Sequence, residues 1–270
     1  MKNYQPTYRW NLSEQQKTIL IYIHKFRFVT TDVVAEIFGK DRSTIYERMS
    51  VLEKQGYVLK QYDSSYRLRR RPATYCLAPL GIKILKDGLL VEQVSLRQSY
   101  KNKSFTEEQI DDCLRVAQIY LHFRRHYDEY FDCYTKYQLT RDMFIRPTPV
   151  LFVRGKTDTI PSYVVDIIPA GLLTWIIRRR ITQHEEFAED SEQNYPHVLF
   201  IAGNNNTEKR IVKLTEERYN DFSFYTTTME RMLHGDTREL WWDPEEFLGL
   251  DDDDEEPKRI HLPLRFKSDN

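Results

Sequence analysis

The sequence predicts an α+β chain, an N-terminal winged helix-turn-helix followed by a mixed-sheet α/β domain. Three observations predict it. Residues 13 to 78 read as three amphipathic helices and then two short strands around a basic turn. From residue 105 onward the order is helix, three strands, helix, strand, helix, strand. Charge also divides between the halves: residues 1–104 hold 19 Lys and Arg against 9 Asp and Glu, and the remainder holds 21 against 32. Such asymmetry points to a nucleic-acid-facing module joined to something else.

The first helix is SEQQKTILIYIHKF, capped by Ser13, with Ile19, Leu20, Ile23 and Phe26 at helical spacing. A short second helix takes Thr30 or Thr31 as its cap, buries Val33, Val34 and Ile37, and ends at Gly39. The third, DRSTIYERMSVLEKQG, has Ile45, Met49 and Leu52 on one side and Gly56 as its stop. YVLKQY and ATYCLA follow as wing strands around SSYRLRRR, and PLGIKILKDGLL closes the domain with a further helix. Residues 1–12 are an aromatic, polar lead-in, a strand or arm that docks on the winged helix. The polar, basic stretch VEQVSLRQSYKNKS gives a linker.

Thr106 and Gln109 form a capping-box pattern that opens a helix running to His126, with Ile110, Leu114, Ala117 and Leu121 as its apolar line. YFDCYTKY, TPVLFVRG and PSYVVDII are short, β-branched or aromatic strands broken by proline or glycine. Residues 171–188 form a helix, YPHVLFIAG a buried parallel strand, Asn204 to Asn206 a turn, and Thr207 the cap of TEKRIVKLTEERY. FSFYTTT and MERMLHG complete the set. The boundaries are therefore 1–91 for the winged helix-turn-helix, 92–104 for the linker, 105–240 for the α/β domain and 241–270 for a tail. Trp241 and Trp242 are expected to pack on the sheet domain. The acidic block Asp251 to Glu256 reads as a solvated tail, or as a partner-binding or autoinhibitory strip that competes with DNA for the wing.

Composition excludes several classes. Cys76, Cys113 and Cys133 lack CxxC spacing and sit in apolar or aromatic contexts, as buried thiols of a reducing compartment do. No apolar run approaches the roughly 18 residues of a membrane span, and the N-terminus lacks a signal-peptide core, so a cytoplasmic protein is expected. No internal repeat is visible. His122 and His126 stand i, i+4 on one helix, but the intervening Phe-Arg-Arg lacks the HExxH glutamate and repels a cation, so a surface pair is expected. No metal or cofactor is expected.

Double-stranded DNA is the leading partner. With Ile45, Met49 and Leu52 facing the core, Arg42, Ser43, Tyr46, Glu47 and Ser50 turn to solvent. Residues near the start of a recognition helix reach base edges first. Arg42 can pair with a guanine edge or a phosphate, Ser43 and Thr44 can hold the backbone, and Arg48 sits further round, towards phosphate. Lys60 on the first wing strand and Arg67, Arg69, Arg70 and Arg71 on the turn put charge where a hairpin approaches the sugar–phosphate chain. Four neutralised phosphates would give log K against log salt a slope of about −3.6. The competing readings are a winged helix that docks protein, and a divergent metal-dependent nuclease.

Taken together, TTDVVAEIF, RSTIYERMSVLEKQGYV and ATYCLAPLGIKIL, with RPTPVLFV, SYVVDII, YPHVLFIAG and FSFYTTTMERML behind them, resemble the replication-relaxation family of plasmids, phages and other mobile elements. The resemblance spans residues 13–240. It implies a winged helix ahead of a domain similar to the PD-(D/E)XK nuclease fold, serving replication control or transcriptional regulation. It also implies dimerisation or recruitment of a replication or DNA-transfer protein by the second domain. That nuclease superfamily needs an Asp, an acidic residue in the next strand and a Lys two positions later, the carboxylates holding Mg²⁺. Here the first position reads Arg146-Pro147-Thr148-Pro149, and two beyond Asp166 stands Ile168. The resemblance therefore implies a degenerate, non-catalytic relative. Asp158 and Asp166, both ahead of Arg178–Arg180, are expected in capping or buried roles, with an unrecognised site as the alternative. Of Arg178, Arg179 and Arg180, at least one is expected to be exposed and able to extend a DNA track, with Glu185 or Glu186 as the alternative partners.

Overall fold

A computed structural model describes residues 12–62, 68–139, 149–189, 195–215, 223–235, 237–247, 255 and 257–265. The chain separates into two compact units, residues 1–121 and 122–270.

In the first unit, α1 (Glu14–Phe26) begins with a complete capping box. The Ser13 hydroxyl accepts from the Gln16 N–H at 3.3 Å, and Gln16 Oε1 accepts from the Ser13 N–H at 3.0 Å. After β1 (Val29–Thr30), the Thr30 hydroxyl caps α2 (Thr31–Phe38) by accepting from the Val33 N–H, so Thr30 rather than Thr31 is the cap. Gly39, at φ +55°, ends α2 in the left-handed conformation that glycine adopts without steric cost. The third helix, α3 (Arg42–Lys54), leads into β2 (Val58–Gln61) and β3 (Thr74–Leu77). The strands form an antiparallel sheet in the order β1-β3-β2, with Lys60 opposite Tyr75. This is a winged-helix-like region, and Ile19, Leu20, Ile23, Ile45, Met49 and Leu52 are fully buried within it.

α4 (Pro79–Asp87) then packs closely enough that a Cβ on Gly81 would lie 2.2 Å from the Tyr57 carbonyl oxygen. The stretch expected to be a linker is structured. It holds α5 (Gln93–Ser99) and a 3-10 turn (Asn102–Ser104), and Leu96, Ser99 and Asn102 are buried. Ser95 and Ser99, one helical turn apart, clasp His24 of α1 from its two ring nitrogens at 3.0 and 3.3 Å. A polar composition concealed this docking because the contact is made by small hydroxyls. The long α6 (Glu107–Tyr127) crosses the division between units. Its turns up to Leu121 belong with the winged helix, where the Tyr120 ring lies 5.0 Å from that of Phe26.

The second unit contains β4 (Phe131–Thr135), β5 (Leu151–Gly155), β6 (Tyr163–Ile168), α7 (Thr174–Glu189), β7 (His197–Ala202), α8 (Asn205–Thr215), β8 (Phe224–Thr228) and α9 (Met229–His234). The sheet runs β4-β5-β6-β7-β8, antiparallel through β6 and parallel from β6 to β8. Alternation along each strand builds two cores. Phe152, Val164, Ile168, Val198, Phe200 and Phe224 meet Ile177 and Ile181 of α7 and Ile211 of α8. Neighbouring strand positions supply the rings of Phe131, Tyr163 and Tyr225, joined by Phe123 and Trp241. Asn204, not Thr207, caps α8: its Oδ1 accepts from the Thr207 N–H at 2.8 Å, and Thr207 itself is fully buried.

The expected tail is partly built into this unit. Trp241 and Trp242 are 0% and 5% exposed; Trp242 bridges to Thr226, and Trp241 to Ile260. Glu208 is fully buried and held by Arg259 at 2.8 Å and Arg231 at 3.1 Å. Of the acidic block only Glu255 is among the described residues, and it is exposed. No described helix is long and apolar enough to cross a membrane.

Candidate nucleic-acid interface

The third helix divides as helical geometry requires. Ile45, Met49 and Leu52 are 0% exposed, whereas Arg42, Ser43, Tyr46 and Glu47 lie open to solvent. Thr44 and Arg48 are half-buried, and Arg48 Nη1 is enclosed without an acceptor among the described residues. Arg42 Nε reaches Asp32 Oδ1 of α2 at 2.9 Å, with both side chains largely exposed. An exposed pair of this kind contributes about 0–1 kcal/mol, so it leaves Arg42 available to a competing phosphate or guanine edge.

Lys60 joins this helix to the wing. Its Nζ lies 5.7 Å from the Tyr46 ring centre and 5.6 Å from that of Tyr62, within the range of a cation–π contact. A residue of α3, a residue of β2 and the residue after β2 thereby share one exposed, basic, aromatic surface.

The wing arginines are not equivalent. Arg67 lies outside the described residues. Arg69 Nη1 pairs with Glu107 Oε2 at 2.7 Å and Arg71 Nη1 with the same oxygen at 3.1 Å; Arg71 also pairs with Asp111. Both carboxylates belong to the first turns of α6. Arg69 and Arg71, expected to face phosphate, are thus engaged within their own unit, because α6 brings carboxylates to the base of the wing. Arg70 is exposed at φ +53° and has no ion pair among the described residues. Sequence reasoning missed Glu107 and Asp111 as part of this surface. The only signal was the clustering of Glu107, Glu108, Asp111 and Asp112 at a helix start.

Other candidate groups are buried. His24 is pushed down to about 4 by burial and by the nearby Arg27 charge. Burial raises the Cys76 thiol to about 11, which leaves it unreactive. Cys113 is also buried, and Cys133 is half-buried. His122, expected on the surface, is 2% exposed; burial first, then His126 and Arg125, push it down to about 3, so it is a neutral core residue.

The nuclease-like positions separate similarly. Thr148 lies outside the described residues. Asp166 sits on β6 beneath α7, where Arg180 Nη1 donates to its Oδ1 at 3.0 Å and His184 Nε2 stands 3.6 Å from Oδ2. Asp166, and neither Glu185 nor Glu186, is the partner of Arg180. Ile168 is buried in the sheet, and Asp158 is exposed in the turn after β5. Among the described residues no three His, Cys, Asp or Glu side chains group as metal ligands.

No protein-family model matches the sequence, and no curated protein matches it. The winged-helix region is similar to parts of several solved regulators. ZitR from Lactococcus lactis, a zinc-responsive MarR family member, is 15% identical over 40% of this chain and 72% of that one, with a TM-score of 0.25. A ZitR cysteine mutant in complex with DNA is 16% identical over 37% of this chain and 67% of that chain, at 0.26. A cysteine mutant of E. coli MarR complexed with operator DNA is 15% identical over 37% and 69%, at 0.27.

Proposed function

We propose that this chain binds double-stranded DNA through α3 and the wing and acts in replication control or transcriptional regulation. The observation that carries the reading is the shared surface of Tyr46 and Lys60, with Arg42 and Ser43 exposed at the start of the same helix, opposite its buried Ile45, Met49 and Leu52, and Arg70 exposed in the wing. A helix placed with its first residues outward and a basic strand beside it fits a major groove and the adjoining backbone. The sheet unit is a non-catalytic platform for a second copy or a DNA-processing partner. Service to a plasmid, phage or other mobile element rests on the sequence resemblance alone, and a cytoplasmic setting on the cysteine contexts and the lack of a long apolar run in the sequence.

The experiment is a titration of mixed-sequence duplex DNA against the full chain at two salt concentrations. Affinity should fall as salt rises, and Arg42→Ala combined with Arg70→Ala should weaken binding and flatten the slope by about 1.8, from ~0.9 per phosphate. Salt-independent affinity, or an unaffected double variant, would favour a protein-docking winged helix. Supercoiled plasmid incubated with Mg²⁺ or Mn²⁺ should stay intact; nicking abolished by Asp166→Ala would overturn the non-catalytic reading.

A further inference from the structure

Along α7, Trp175, Arg178, Arg179, Thr182, Gln183 and Glu186 recur at steps of three and four and line one shallow depression. Trp175 is 60% exposed, and Leu173 just ahead of the helix is 58% exposed. Arg180 is taken up by Asp166, but Arg178 and Arg179 have no ion pair or hydrogen bond among the described residues. This unpaired charge runs against its surroundings, since residues 122–270 hold 20 Lys and Arg against 28 Asp and Glu.

We infer that this stripe is a contact for a single nucleic-acid strand, one base stacking on Trp175 while Arg178 and Arg179 take the flanking phosphates. An indole ring gains from stacking on any base, and guanidinium groups one turn away match the anionic chain that carries it. A duplex keeps its bases stacked on one another, so an exposed ring of this kind suits an unpaired strand. A protein partner seated on a helix face needs apolar anchors at i, i+3, i+4 and i+7. Here the stripe positions beyond Trp175 are Arg178, Arg179, Thr182, Gln183 and Glu186, which offer charge and hydrogen bonds; the other exposed apolar side chain, Leu173, lies ahead of the helix and not along the stripe. The site is separate from the duplex-binding surface proposed for α3.

The test uses the full chain and an oligo-dT of about 20 nucleotides, followed by tryptophan emission. Of the four tryptophans Trp241 and Trp242 are buried and Trp10 lies outside the described residues, so Trp175→Phe assigns the response and Trp10→Phe serves as its control. Oligo-dT should quench emission in the parent and leave Trp175→Phe unchanged. Trp175→Ala should weaken binding roughly 5- to 150-fold, and Arg178→Ala with Arg179→Ala should flatten the salt slope by about 1.4, with melting curves like the parent's. Unchanged oligo-dT affinity in both variants would overturn the inference. So would equal quenching by polyglutamate that displaces the strand, which would assign the stripe to an acidic protein. Arg42→Ala with Arg70→Ala distinguishes the two sites: duplex binding should fall while oligo-dT quenching persists. A parent that quenches with oligo-dT but binds no duplex would overturn the α3 reading and support this one, and a parent that binds duplex without an oligo-dT response would overturn this one alone.

Discussion

Two runs of three arginines, Arg69–Arg71 in the wing and Arg178–Arg180 in α7, look alike in sequence, and the fold sorts them by opposite rules. In the wing the outer two are paired with carboxylates of α6 and the middle one is left exposed. In the helix the last is drawn under α7 to Asp166 and the first two stay in solvent. The difference follows from backbone geometry. In the wing the chain turns, Arg70 standing at φ +53° in the left-handed region with its side chain exposed, while Arg69 and Arg71 on either side of it reach the α6 carboxylates. A helix turns about 100° per residue, so Arg180 reaches the sheet side while Arg178 and Arg179 do not. A charge run is therefore not one site but a set of assignments made by neighbouring elements.

The largest test of this contrast is release of the wing. Glu107 and Asp111 compete with phosphate for Arg69 and Arg71, so Glu107→Gln with Asp111→Asn should strengthen duplex binding. Two freed guanidinium groups would steepen the salt slope by about 1.8, up to roughly 60-fold in affinity at 0.1 M salt. Removing two negative charges strengthens DNA binding generically, and a cycle separates that from true competition. In an Arg69→Ala, Arg71→Ala background the extra slope should vanish, and Glu108→Gln in the parent should yield little. A gain of the same size in every background would mean the ion pairs do not gate the wing.

Asp166→Ala comes next and probes the other triplet. It removes the carboxylate from Arg180, whose Nη1 keeps only the Ile167 carbonyl oxygen at 2.9 Å, and should cost about 1–3 kcal/mol in urea unfolding, the range for removing one partner of a hydrogen-bonded charge. The pair is 35% and 18% exposed, which keeps the figure below that of a fully buried pair. Near-parent stability would place Arg180 with the free arginines and dissolve the contrast.

These pairings also mark where sequence stops being informative. The caps Ser13 and Thr106, the glycine stop at Gly39 and the Ile45, Met49, Leu52 face are local patterns, each decided within a few residues, and all are present in the fold. The strand and helix order of the second unit was legible for the same reason. What could not be read was any partnership across long separations. Arg71 meets Asp111 forty residues away, and Ser95 and Ser99 meet His24 more than seventy away. The stretch 92–104 looked like a linker because its docking uses one leucine and two serines, too few apolar residues to register as a helical stripe. On α3 the outward residues followed from the inward ones, but Lys60 joined Tyr46 only once β2 was folded back beside the helix.

Within the wing, Arg70→Ala should outweigh Arg69→Ala. Losing one phosphate contact flattens the slope by about 0.9, near eight-fold in affinity at 0.1 M salt. Arg69→Ala removes a cation already neutralised by Glu107 and should change affinity by less than about three-fold, because an exposed pair contributes only about 0–1 kcal/mol. Equal effects would show that Glu107 yields Arg69 to DNA without resistance.

The smallest effect is expected on the exposed side of α7. Arg178→Ala with Arg179→Ala should leave unfolding free energy within about 0.5 kcal/mol of the parent, as surface changes without partners do. Arg180→Ala should cost more, since Asp166 would lose its 3.0 Å donor and keep only the more distant His184. Alanine also favours a helix interior slightly over arginine, so the double variant can even gain a little. A loss comparable to that of Arg180→Ala would mean that Arg178 or Arg179 holds the unit together, and the stripe would then be structural rather than open to a ligand.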